Sequence, residues 1–214
     1  MKKQIEHTPI HEFLLRTVLY LPLCFFVWFW AASILMLPVT AAADKVLTTL
    51  LPDIVVQVQQ DGYRNMIVTN IAPPARANVD PEELAGLAFE VNPMIYAFGL
   101  PLLASLVLAT PMTSGRRVTV IALGGLALIV VPVWGISFEA LKTLQILGWP
   151  DGVPKLGDIG IFRNSLIALG YQAGYLIFPA ITPIALWILT NRPYIEDLTG
   201  QRRTAAKVAD KGTE

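Results

Sequence analysis

From 17 to 39 the chain is almost unbroken apolar sequence, and no charged residue occurs between Arg16 and Asp44. In hydrocarbon a backbone must pair its own N–H and C=O groups, so such a run crosses a membrane as a helix. At about 1.5 Å per residue, some 20 residues span the roughly 30 Å hydrocarbon core, and this run meets that length. Three more apolar runs follow, at 93–112, 118–138 and 165–190. With 54% hydrophobic and only 15% charged residues, the chain is too apolar for an ordinary soluble domain. Its formal net charge of zero gives no basic signature of nucleic-acid binding. Ala41-Ala42-Ala43 would suit a signal peptidase, but signal-peptide apolar cores run roughly 7 to 15 residues, so 17–39 reads as a retained helix.

Between the first two membrane runs the pattern changes twice. Val46, Leu47, Leu50 and Leu51 fall at helical spacing, which predicts a short amphipathic helix at the membrane interface over 43–51, ended by Pro52. Segments 54–60 and 63–69 then flank Asp61-Gly62, a dipeptide suited to a type I′ turn, and predict a β-hairpin with Val56 opposite Ile67 and Val58 opposite Asn65. A loop over 72–81 leads to a third strand over 84–91, since a lone hairpin is marginal. That strand runs through Glu90 and Asn92 straight into the second membrane helix at Pro93. Glycines and prolines in the later helices, among them Gly99, Pro101, Gly124, Gly125, Pro132, Gly170 and Gly174, mark kinks or close helix contacts. An amphipathic continuation is expected over 140–149 and a loop over 150–158. Gln172 should face protein, because an amide in lipid is costly.

The fold class expected is therefore an α-helical integral membrane protein with four transmembrane helices, a small extracytoplasmic three-stranded element at 53–91 and short interfacial helices. A polar arm at 1–16 and a disordered tail at 191–214 complete it. One side carries ten lysines and arginines, including Arg16, Arg116, Arg117 and Arg192, against six on the other, including Lys45, Arg64 and Lys142. The positive-inside rule then places both termini in the cytoplasm of a bacterium and the β-element outside its inner membrane.

Chemistry is sparse. His7 and His11 stand four apart but lack a third ligand, so no metal site is expected. Cys24, within an apolar helix, has no route to a thiolate. No Ser-His-Asp set is available and no cofactor motif occurs, so no catalytic, metal-binding or cofactor-binding residue is expected. Glu90 and Glu139 both fall at the outer membrane face and would suit a cation or a shared proton, although interfacial carboxylates are more often satisfied by neighbours, here Arg64, Lys142 or Arg163, or by water.

The layout of hairpin, strand leading into a helix, basic turn and two further helices resembles the core of the exosortase and archaeosortase membrane transpeptidases. That resemblance implies a cysteine where this chain reads Phe89-Glu90-Val91-Asn92-Pro93, an arginine at the outer end of the helix containing Trp134 and Glu139, and a histidine near Tyr171-Gln172-Ala173-Gly174. None of the three is present. A closer resemblance, carried by the phrases LLRTVLYLPLCFFVWFW, FEVNPMIYAFGLPLL and GYQAGYLIFPAI, is to the exosortase H-associated membrane proteins. It implies a non-catalytic accessory protein of exported-protein sorting or anchoring, with the bilayer, an exosortase-type transpeptidase or its exported substrates as partners. Its docking candidates on the outer face are Gln59, Arg64, Glu90, Asn92, Glu139 and Gln172. The alternatives are a small enzyme or transporter using Glu90 and Glu139, and a structural subunit of another membrane complex.

Overall fold

A computed structural model describes residues 9–71, 87–146 and 160–198. Four described helices are long and apolar enough to cross a membrane, at Ile10–Trp30, Ala32–Leu50, Ser114–Gln145 and Asn164–Thr190, and one three-stranded antiparallel sheet accompanies them. The fold class expected from the sequence holds.

Helix α1 (Pro9–Trp30) and α2 (Ala32–Leu50) form one rod interrupted only at Ala31. The helix expected at 17–39 and the interfacial helix expected at 43–51 are thus parts of a longer element. Its apolar stripe is covered by protein, which is why α2 does not behave as a surface helix. Met36, Val39, Ala43 and Leu47, three or four residues apart, are all buried against the sheet and the last helix turns before 146. Leu50 alone of the expected stripe stays exposed.

Strands β1 (Val55–Asp61), β2 (Arg64–Thr69) and β3 (Ala88–Val91) pair in that order. The turn is Gly62-Tyr63 rather than Asp61-Gly62, with Gly62 at φ 61°. Glycine in the first turn position is the requirement of a type II′ turn, and choosing it slides the register. Val58 now faces Ile67 and Gln60 faces Asn65, correcting the pairs expected from the sequence. Val58 and Ile67 are buried in one cluster with Leu47, whereas the expected register would have set Val58 opposite the polar Asn65. A bulge between Val55 and Gln57 leaves Val56 exposed.

The second apolar run becomes α3 (Met94–Ala97) and α4 (Gly99–Ala109), shorter than the other membrane helices and central to the bundle, with α1, α5 and α8 packed around it. A Cβ on Gly99 would stand 3.0 Å from the Pro179 carbonyl oxygen, so the glycine serves a close helix approach. Helices α5 (Ser114–Leu128) and α6 (Val130–Ile146) run together well past 138, absorbing the continuation expected at 140–149 up to Ile146; 147–149 lies outside the described residues. Helix α7 (Gly160–Gln172), a π-helical segment Ala173–Ile177 and α8 (Phe178–Thr190) make the last rod.

One end of the bundle is closed by aromatic and hydrogen-bonded contacts. Phe13 stacks on Trp187 at 5.1 Å, Trp187 Nε1 donates to Thr110 Oγ1 at 2.9 Å, and Arg116 donates to the Thr190 carbonyl at 2.8 Å. Helix α9 (Arg192–Leu198) returns here, with Tyr194 edge-on to Phe13 at 5.9 Å. The tail expected to be disordered from 191 therefore begins as a packed helix, because Tyr194 has an aromatic partner in the arm; likewise 9–16 of that arm is helical.

Candidate functional site

The sheet divides its side chains by alternation. Asn65, Ile67 and Thr69 on β2 and Val91 on β3 point at α2 and are buried, while Gln57 and Gln59 on β1, Arg64 on β2 and Glu90 on β3 are exposed on the opposite face. The register sets Gln59 beside Met66 and Met66 beside Glu90, a row across all three strands. Arg64 reaches diagonally to form an ion pair with Glu90. The neighbouring Tyr63 and Glu90 hold the Arg64 guanidinium above its ordinary pKa. Three of the six docking candidates therefore share one outward surface, on a base fixed from behind. Val58 N–H donates to Asp44 Oδ1 at 2.7 Å, Gln60 Nε2 donates to the Ser33 carbonyl at 2.6 Å, and the Thr40 hydroxyl lies 2.8 Å from Asn65 Oδ1.

Asn92 does something more local. Its Oδ1 accepts the Met94 N–H at 3.1 Å, which satisfies one donor at the start of α3. Glu139 accepts the Tyr96 hydroxyl at 2.7 Å. Around that bond Tyr96 stands edge-on to Tyr171 and Tyr175, Lys142 Nζ sits 3.9 Å from the Tyr171 ring centroid, and Trp134 Nε1 donates to the Gly170 carbonyl at 2.9 Å. Small residues make this aromatic packing possible, since a Cβ at Gly135 would overlap Tyr96 and one at Gly170 would overlap Phe138.

Gln172 is exposed, contrary to the expectation that it faces protein. The neighbouring Tyr171 lies under Lys142, and α6 at that level has already run some 28 residues from Ser114, about 42 Å at helical rise. That exceeds the roughly 30 Å hydrocarbon core, so an exposed amide at this level does not have to lie in hydrocarbon, which was the premise of the expectation. Glu90 and Glu139 have separate partners, Arg64 and Tyr96, and among the described residues no group of three His, Cys, Asp or Glu could hold a metal ion. His7 lies outside the described residues. Cys24 is buried in α1. Cys24→Ala should therefore leave membrane level and any sorting phenotype unchanged in a complementation assay, and loss of phenotype at normal protein level would give the thiol a role that its burial argues against.

Tyr96, Trp134 and Tyr171 were missed by reasoning from sequence. The available signal was Gly135, Gly170 and Gly174, three glycines that leave room for rings.

A family model described as exosortase H-associated membrane protein matches residues 7–194 of the chain. No curated protein and no solved structure matches.

Proposed function

The chain belongs to the exosortase H-associated membrane proteins, and from that membership we propose that it is a non-catalytic accessory protein whose outward sheet face docks an exosortase-type transpeptidase or its exported substrate. The observation that carries the proposal is the coplanar set Gln59, Arg64, Met66 and Glu90, solvent-directed on a sheet that is braced against α2. Non-catalysis is supported by what fills the three positions at which the transpeptidase resemblance implies cysteine, arginine and histidine. Asn92 accepts the Met94 N–H, Glu139 is bonded to Tyr96, and Gln172 is an exposed amide. None of these supplies a thiolate, the amides of Asn92 and Gln172 cannot act as a proton-transfer base, and the Glu139 carboxylate is engaged by the Tyr96 hydroxyl.

In this reading α1 with the start of α2, α3–α4, α5–α6 and α7–α8 cross the bacterial inner membrane, while the rest of α2, the sheet and the end of α6 stand outside. Both termini are cytoplasmic. Reporter fusions at Arg116 and after Arg192 should accordingly give cytoplasmic signals and a fusion at Asn78 a periplasmic one; a cytoplasmic signal at Asn78 would invert the topology.

Docking is tested by co-purification. Met66→Arg puts a second cation beside Arg64 at the middle of the row, and loss of a central interface contact of about 2 kcal/mol reduces capture roughly thirtyfold. Capture of the transpeptidase at wild-type yield by this variant, or cleavage of a sorting-signal peptide by the purified protein alone, would refute the proposal.

A further inference from the structure

The β-hairpin does not stand clear of the membrane helices. Strand β1 packs back along α2, and near its end the Gln60 side chain donates to the Ser33 carbonyl at 2.6 Å. Ser33 follows Phe13 by twenty residues on the α1–α2 rod, about 30 Å at helical rise, and Phe13 stacks on Trp187 at the closed end of the bundle. That is the thickness of the hydrocarbon core, so the Gly62-Tyr63 turn lies where the core ends. Strand β3 gives the same level independently. Val91 at its end pairs with Asn65, and Pro93 stands at the start of the next membrane helix, so residues 61–64 continue past the strand–helix junction toward the bilayer.

The side chains at this level suit that depth. Trp30 is 81% exposed and the preceding Phe29 is exposed too, both on a membrane helix, and the Tyr63 ring stands 6.5 Å from that of Phe29. Tryptophan and tyrosine concentrate where hydrocarbon meets headgroups, because each has an apolar body and a polar tip. Asp61 and Arg64, exposed on either side of the turn, set the limit from the other direction. Charged side chains are costly in hydrocarbon, so the turn stops among the headgroups and goes no deeper.

We propose that the Gly62-Tyr63 turn is an interfacial anchor seated among phospholipid headgroups, with Tyr63, Phe29 and Trp30 in contact with lipid. Seated there, the turn holds the sheet at a fixed height over the bilayer, with Gln57, four residues back along β1, about 13 Å from the turn at strand rise. The inference uses neither the direction in which the chain crosses the membrane nor docking on the sheet face, and it stands or falls independently of both.

The test uses the full-length chain carrying Cys24→Ala, with a nitroxide on one introduced cysteine, in phospholipid nanodiscs. Electron paramagnetic resonance compares collisions of the label with oxygen, which concentrates in the bilayer, and with a water-soluble nickel chelate. Labels on Phe26→Cys, an exposed position of α1, and on Gln57→Cys, an exposed position of the sheet, set the lipid and water limits. A label on Asp61→Cys should fall between them, with more oxygen and less nickel access than Gln57→Cys. Adding Tyr63→Ser should shift the Asp61→Cys label toward the water limit and leave the Gln57→Cys label unchanged. Nickel access at Asp61→Cys equal to that at Gln57→Cys would overturn the proposal, and so would a label shielded from both reagents, as contact with a second copy of the chain would give. An Asp61→Cys label unmoved by Tyr63→Ser would overturn the ring's part in the anchor.

Discussion

Gly135→Ala is expected to destabilise the protein by about 1–3 kcal/mol, the usual cost of overpacking a well-filled core, and to lower its thermal unfolding midpoint in detergent by several degrees. The added methyl would overlap Tyr96 at Cγ, the root of the ring, where rotation about χ2 cannot clear it. Tyr96 cannot withdraw. Its side chain is fully buried, its hydroxyl is held by Glu139, and Tyr171 and Tyr175 stand edge-on to it. Gly170→Ala makes the instructive comparison, because there the methyl meets the rim of Phe138, a half-buried ring that can swing toward solvent. The cost should be smaller. An unchanged midpoint for Gly135→Ala, or a larger loss for Gly170→Ala, would show that Tyr96 is not the rigid centre of this cluster.

Asn65→Asp should be the most damaging single change in the sheet. Asn65 is completely buried between β2 and α2, its Oδ1 lies 2.8 Å from the Thr40 hydroxyl, and its Nδ2 has no partner among the described residues. A carboxylate placed there would be a buried charge with one hydroxyl donor and no cation, a loss of about 3–5 kcal/mol at neutral pH. Asn65→Leu is expected to cost far less. Thr40 keeps an acceptor in the Met36 carbonyl at 3.0 Å, and leucine removes the amide nitrogen that lacks one. Urea-induced exposure of the sheet, followed by proteolysis of the 55–91 region in membranes, separates the two variants. Equal resistance of Asn65→Asp and wild type would contradict the buried position of this amide.

The elements of this fold are legible in the sequence wherever solvent alone decides them. Apolar runs longer than the bilayer is thick announce the helices, Asp61-Gly62 announces a hairpin, and the short apolar stretch before Asn92 announces β3. Where a tertiary partner decides, the sequence is ambiguous. Asp44 and Lys45 interrupt the apolarity of α2 and suggest a separate interfacial helix, yet Asp44 is there to accept the Val58 N–H, a contact fourteen positions away. The hairpin register turned on whether Gly62 took the first or the second turn position, and burial of Val58 against Ile67 decided it. The same limit applied to the candidate site. Arg64 was legible as one of the cations that would satisfy the outer carboxylates, and it pairs with Glu90, but Tyr96 read as one more residue of an apolar run because Glu139 lies forty-three positions further on. Gln172 was misplaced for a related reason: the membrane boundary on the last rod depends on how far α6 extends beside it.

The most direct test of the proposed accessory role is site-specific photocrosslinking in cells that express the neighbouring transpeptidase. Crosslinking residues at Gln57 and Gln59, on the outward face of the sheet, should capture that transpeptidase or an exported substrate, and the same probe at Phe26 or Leu189 should capture neither. Capture from Phe26 or Leu189 with none from Gln57 and Gln59 would contradict the account, because the partner would then be held through the membrane helices and the sheet face would have no docking function.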